Sequence, residues 1–203
     1  MNDARVRTPA VSAMRDDRPG RHALAGQMLH RGVVPLETMH GPFAAHVLQN
    51  VATGSVAFAV ARGDVRGSAP LLARIHSSCV TSETFGGCDC DCVEQLDLAL
   101  ERIADEERGV VFYLMQEGRG AGFSAKARDR MLVQASRNRL TTFEAYERMG
   151  LGHDHRRYDE VGHASALLGV TAPLVLLTNN PDKLAALSDL GVAVAGSARL
   201  RQP

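Results

Sequence analysis

The sequence predicts an α/β protein whose mixed sheet is flanked by helices, and three observations point there. Short apolar runs punctuated by glycine dominate the stretch from Val33 to about residue 76, apolar runs alternate with helical periodicities after it, and clusters of polar, chemically capable residues follow directly on predicted strands. With 203 residues, 45% of them hydrophobic, the chain is long enough to bury one sizeable core without covalent staples.

Residues 1–32 are rich in Arg, Asp, Pro and Ala with no sustained period and read as an N-terminal arm; residues 33–203 form the single predicted domain. Phe43-Ala-Ala-His-Val-Leu, Ser55-Val-Ala-Phe-Ala-Val-Ala and Pro70-Leu-Leu-Ala-Arg-Ile-His have strand character, with Gly41, Gly54 and Gly63-Asp64 as turn signals. Val93, Leu96, Leu100 and Ile103 recur at helical spacing, so an amphipathic helix runs towards Gly109. Val110-Val-Phe-Tyr-Leu-Met is then a buried strand. Helices follow over about 124–136 and 142–149, the second opened by Thr141 with Glu144 in capping-box register. Another covers about 160–168 and stops at Gly169. Leu174-Val-Leu-Leu is a strand, and Pro181 opens a helix to Leu190. The alternation in the second half predicts a partly parallel sheet, preceded by a more antiparallel first half.

Composition narrows the function classes. The formal net charge is zero, so the chain lacks the overall basic field with which nucleic-acid binders attract phosphate backbones. No apolar run approaches the ~20 residues that span a bilayer. The start, Met1-Asn-Asp-Ala-Arg-Val-Arg, lacks the apolar stretch of a secretory signal, and a cytoplasmic location is expected. Lys126 and Lys183 are the only lysines among many arginines.

All four cysteines, Cys79, Cys88, Cys90 and Cys92, fall within fourteen residues. In a reducing cytosol such a cluster binds metal more readily than it forms disulfides. If the segment were extended, Cys90 and Cys92 would project to one face, joined by Cys88 if the strand began early enough. Zinc holds thiolates at ~2.3 Å in a tetrahedron that a C-x-C pair and one remote cysteine can complete. Three ligands leave a position for water, as in catalysis; four close the site and make it structural, and the cysteines alone leave both open.

Three further stretches carry chemistry. Gln116-Glu-Gly-Arg-Gly-Ala-Gly-Phe links a strand to a helix, where glycines let backbone N–H groups approach a phosphate and Arg119 adds a bidentate donor. In Thr178-Asn-Asn-Pro-Asp-Lys an asparagine caps the helix that Pro181 begins, but Lys183 in its first turn sits at the positive end of the helix dipole, which a bound phosphate would make favourable. Gly152-His-Asp-His-Arg-Arg-Tyr is a polar loop whose spacing by itself selects no ligand.

Taken in order, Arg74-Ile-His-Ser-Ser-Cys79, Cys90-Asp-Cys92 with Gln95, Gln116-Glu-Gly-Arg119, Thr142, Asp154-x-Arg156 and Thr178-Asn-Asn-Pro-x-Lys183 resemble the motif series of GTP cyclohydrolase II, the zinc enzyme that opens riboflavin biosynthesis. The resemblance runs from about Val34 to Val194 and implies a GTP cyclohydrolase II-like single domain. It implies opening of the imidazole ring of GTP at C8, release of formate and pyrophosphate, and a 2,5-diamino-6-ribosylamino-pyrimidinone 5′-phosphate product. Carried over by position, Cys79, Cys90 and Cys92 would hold Zn2+. Arg156 matches the residue that acts at the α-phosphate and Asp154 the proton acceptor. Arg74, Ile75, His76, Ser77, Ser78, Gln95, Glu117, Gly118, Arg119, Thr142, Thr178 and Lys183 would contact the nucleotide. Mg2+ would accompany the triphosphate, the substrate would be GTP or a related purine nucleotide, and the protein would be a homodimer. The chain departs from the family pattern at Asp89, where Arg is usual, at Ser78, where Glu is usual, and at Asp129-Arg130, which follow Lys126-Ala-Arg where Ala-Tyr is usual.

Overall fold

Seven strands form one sheet in the order β1-β2-β3-β5-β4-β6-β7. A computed structural model describes residues 28–200; the expected arm lies outside the described residues up to position 27, whereas its last positions, 28–32, belong instead to a strand paired antiparallel with residues 47–50. The strands are β1 (Met28–Thr38), β2 (Gly41–Asn50), β3 (Val56–Arg62), β4 (Leu71–Ser77), β5 (Gly109–Leu114), β6 (Leu174–Leu177) and β7 (Val194–Ala198). β1, β2, β3 and β5 pair antiparallel, whereas β5, β4, β6 and β7 run parallel. The mixed sheet and its two halves are those the sequence predicts.

The helices are α1 (Val80–Glu83), α2 (Cys92–Asp105), α3 (Phe123–Ala135), α4 (Thr142–Arg148), α5 (Asp159–Leu168) and α6 (Pro181–Asp189). Alternation along the strands divides the core between two faces. Ala73 and Ile75 of β4, Val110, Phe112 and Leu114 of β5 and Leu174 and Leu176 of β6 pack with Val161, Ala164 and Leu168 of α5 and Leu187 of α6. On the other face, Val111 and Leu177 pack with Ala99 and Ile103 of α2. Arg74 and His76 belong to this second face, so the polar side chains of β4 share a layer with the start of α2.

Chain order places the site. β4 leads to β5 on one side, and the next strand, β6, returns to the other side of β4. Ligands of open α/β sheets bind where the strand order reverses, outside the carboxyl ends of the parallel strands. Here those ends deliver Ser77-Ser78-Cys79, Met115-Gln116-Glu117 and Thr178.

β1, β7 and the one-turn α1 lie beyond the predicted elements. β1 contains Gly32 and Pro35, carries a register shift between His30 and Gly32, and is mostly exposed as an edge strand, the setting that tolerates such residues. β7, Val-Ala-Gly-Ser-Ala, alternates between part-buried and exposed positions, but its small residues give little apolar contrast from which to recognise a strand.

Candidate active site

The cysteine ligands lie on a turn, a helix start and a loop. Cys79 caps α1, Cys92 is the first residue of α2, and residues 88–91 form bends, so the extended arrangement considered for the C-x-C pair does not hold. Gly86, at φ 66°, and Gly87 reverse the chain just before Cys88. The reversal folds Cys90 and Cys92 back onto Cys79, and the three Sγ atoms lie within 4.8 Å of one another. Cys79 and Cys90 are 3.5 Å apart. Thiolates around a tetrahedral zinc are separated by about 3.8 Å, so the donor set fits that ion in both chemistry and spacing. Cys88 stands outside this group, exposed, its thiol directed at the carbonyl of Gly86.

The environment of Cys79 is built for a thiolate. Burial, the largest single influence, opposes its ionisation, but the Lys126 ammonium 3.0 Å from Sγ, together with the Ser82 N–H, Cys90 and Thr81, outweighs it and holds the thiol below its ordinary pKa. Lys126 also ion-pairs with Glu117, whose second oxygen accepts the N–H of Val80 at 3.0 Å. A further carboxylate, Glu83, accepts the N–H of Cys79 at 2.9 Å, pairs with His76 Nε2 at 2.9 Å and receives the Tyr113 hydroxyl at 2.5 Å. The His76 ring stacks on Tyr113. Burial keeps the His76 imidazole below its usual pKa.

Arg74 is buried, donating to the carbonyl of Leu177 at 2.7 Å and to Gln95 Oε1 at 2.5 Å, with its Nε unpaired. Lys183, also buried, donates to the carbonyl of Ile75 at 2.9 Å. Burial, together with repulsion from Arg74 and Arg156, pushes its ammonium down to about 7. The Ile75 side chain belongs to the core beneath α5, so only its backbone faces this cation. Ser78 is buried, Ser77 Oγ is buried without a partner, and Thr178 Oγ1 accepts the Asn180 N–H.

The glycine turn and the polar loop meet. A 3-10 turn covers Gly118–Gly120, in which Arg119 adopts the left-handed region at φ 53°. Its carbonyl accepts the His155 N–H at 2.8 Å, and its guanidinium lies 4.2 Å from the centroid of Phe143, a cation–π contact. Only glycine fits at position 120, because a Cβ there would lie 2.6 Å from the His155 carbonyl. This close approach positions the next residue, Arg156, whose Nε lies 2.9 and 3.0 Å from the two oxygens of Asp154. The pair keeps Asp154 below its ordinary carboxylate value against the effect of burial and holds Arg156 charged. Thr142 begins α4 beside Asp129, a buried carboxylate with one unpaired oxygen.

The structure therefore brings the cysteines together with Arg74, His76, Gln95 and Glu117, and groups Arg119 with Asp154 and Arg156. Lys183 lies within the electrostatic reach of Arg74, Arg156 and Cys92. Sequence reasoning missed Glu83, Tyr113 and Tyr146, the last of which donates its hydroxyl to the Gly118 carbonyl at 2.7 Å. Glu83 carries little spacing signal, since apart from Cys79, the cap of its own helix, its partners come from β4 and β5. Lys126 does carry one, as one of only two lysines.

Comparison with known proteins identifies the family. The family model of GTP cyclohydrolase II matches residues 30–199. GTP cyclohydrolase-2 of Shewanella amazonensis is 42% identical over 159 residues, covering 78% of this chain and 76% of the relative. The enzyme of that name from Pseudomonas syringae pv. tomato is 42% identical over 160 residues, covering 79% and 76%. A crystal structure of a two-domain 3,4-dihydroxy-2-butanone 4-phosphate synthase from A. baumannii aligns with a TM-score of 0.49 and 14% identity over 88% of this chain and 43% of that one. With a family match across almost every described residue and relatives at this identity over most of both chains, the chain belongs to the GTP cyclohydrolase II family.

Proposed function

We propose that this chain is a zinc-dependent GTP cyclohydrolase that opens the imidazole ring of GTP at C8 and releases formate and pyrophosphate, giving the 2,5-diamino-6-ribosylamino-pyrimidinone 5′-phosphate. One observation carries the reading: three thiols converge at the carboxyl ends of parallel strands, with Arg74 and Lys183 buried at the same ends. Cys79, Cys90 and Cys92 hold the metal. When bound, zinc supplies Lewis-acid activation of water near neutral pH.

The remaining work falls to the chain's own groups. Lys183 and Arg74 are cations whose burial is costly alone and favourable beside an anion, so they bind phosphate. Arg156 stays charged and stabilises the negative charge that develops at the α-phosphate as pyrophosphate leaves. Asp154 orients Arg156 and accepts a proton only weakly, because the pairing lowers its basicity. Gln95, Thr142, Thr178, the backbone of 75–78 and the turn Glu117-Gly118-Arg119 contact the nucleotide. Mg2+ arrives with the triphosphate. We extend to this chain the family's homodimer and a cytoplasmic setting; among the described residues no helix is long and apolar enough to cross a membrane.

A second outcome has a specific basis. At the position of the family's usual tyrosine, α3 carries Arg130, which engages Asp89 in the cysteine loop. Ring opening and deformylation are separate hydrolyses, each needing its own proton transfers, so a product that keeps its formyl group as a formamide is the alternative. Incubating the purified protein with GTP and Mg2+ while measuring formate, pyrophosphate and product mass separates the two. GTP left intact across metals and pH overturns the enzyme reading.

A further inference from the structure

Lys126 and Arg130 lie four residues apart on α3 and therefore share one face of the helix. Lys126 reaches Cys79, the ligand from the first segment of the cluster, at 3.0 Å. One turn later, Arg130 reaches the other segment. Its Nε lies 3.0 Å from Asp89 Oδ2, and its terminal nitrogen donates to the Asp89 carbonyl at 3.3 Å. Asp89 sits between Cys88 and Cys90, in the stretch of bends that has neither helix nor strand to hold it. A single helical face thus grips both halves of a ligand set that closes only when the loop lies against Cys79.

We propose that Arg130, acting through Asp89, is a positioning residue that keeps the Cys90–Cys92 loop closed on Cys79 and so sets how long the metal is retained. The proposal rests on the cysteines being a zinc site. The geometry of the pair suits loop closure more than overall stability. The side chains are 31% and 46% exposed, and a solvent-accessible ion pair adds little to global folding energy. Arg130 Nε is close enough to the Asp89 carboxylate for an ion pair but is not aligned for a hydrogen bond, so the directional contact is the long one to the Asp89 carbonyl, and the two together tether the residue beside Cys90 to α3. Groups that orient ligands in this way alter metal affinity by about 10- to 100-fold when removed.

The test uses the zinc-loaded full chain and a chromogenic chelator. Arg130→Gln is expected to release zinc about tenfold faster than the parent, within that range for orienting groups. Asp89→Asn should also release faster, and the double variant should be no faster than Arg130→Gln, because both substitutions break one interaction. Arg130→Lys should recover part of the retention, and the melting temperature of the metal-free forms should stay near that of the parent. Release at the parental rate from zinc-loaded Arg130→Gln overturns the proposal, as do independent, multiplying effects in the double variant. A parent chain that takes up no zinc overturns the metal reading itself, and this proposal with it.

Discussion

Lys183 donates its ammonium to the main-chain carbonyl of Ile75 at 2.9 Å, a contact that spans from the first turn of α6 to the core of β4. The residue is buried, with Arg74 and Arg156 as the charges that repel it, and its pKa falls to about 7. The depressed value makes the unfolded chain the stronger proton binder between pH 7 and ~10.4, so Lys183 costs stability below pH 7, and that cost is relieved as pH rises. Lys183→Met should therefore be more stable to unfolding than the parent at pH 6, by on the order of a few kcal/mol, with the gap closing as pH rises through 9 towards ~10.4. The same substitution should weaken triphosphate binding. In the parent, the complex keeps a proton that the free protein loses, so affinity should fall as pH rises above 7. Calorimetric titration in buffers of different ionisation enthalpy should show proton uptake on binding at pH 8.

Gly120→Ala should separate site geometry from folding. The new Cβ would lie 2.6 Å from the His155 carbonyl and 2.8 Å from the Arg156 N–H, at a backbone φ of 81° that side chains disfavour. Strain of this kind costs ~1–3 kcal/mol and would push residues 154–156 away from the glycine turn. A displacement of about 1 Å in a positioning group is enough for ~100-fold in rate. The expected result is a loss of turnover of that order with a cooperative, modestly lowered melt.

Much of the fold and half of the site are legible in the sequence because both obey local rules. The helix of residues 142–148 carries its capping box, with Thr141 Oγ1 accepting the Glu144 N–H at 3.2 Å and Glu144 accepting the Thr141 N–H at 2.7 Å. The cysteines, the glycine turn and Lys183 likewise follow from spacing and residue type. The strand β1 is not legible, because an exposed edge relaxes the alternation by which strands are recognised. Nor is the network of Glu83: its bond to Cys79 closes within α1, but His76 on β4 and Tyr113 on β5 join it only once those strands pair. The bends at 88–91 replace an extended arrangement because the ring of three sulfurs demands a reversal that Gly86 and Gly87 supply.

Glu83→Ala should be the most destabilising single change around the cysteines. It removes the acceptor for the Cys79 N–H, the His76 ring and the Tyr113 hydroxyl at once, and unsatisfied buried groups cost ~1–3 kcal/mol each. Glu83→Gln should cost less, because its carbonyl can face Cys79 and His76 while its NH2 donates to a rotated Tyr113 hydroxyl. Although burial acts the other way, contacts with His76 and Tyr113 leave the Glu83 carboxyl below its ordinary value. Its stabilisation is therefore complete above ~4.3 and lost as pH falls through the lower folded value. Urea melts at pH 7 should rank Ala well below Gln, and the parent's advantage over Gln should shrink in acid. Equal losses for Ala and Gln would contradict this account of the network.

Cys88 tests whether the metal site is open. Its thiol is exposed and points at the Gly86 carbonyl, whereas the three other sulfurs converge, so a fourth protein ligand is absent from the cluster among the described residues. A site with three thiolates leaves one tetrahedral position for water, the arrangement that hydrolysis requires, and a site with four does not. Cys88→Ser should keep an undiminished zinc content and turnover close to the parent. Cys90→Ser or Cys92→Ser should lose metal, because two thiolates cannot hold it against competing chelators. Zinc-edge X-ray absorption of the parent should find three sulfurs and one lighter atom. Four sulfurs, or loss of zinc from Cys88→Ser, would mean that the loop closes further around the ion and that the site is structural rather than catalytic.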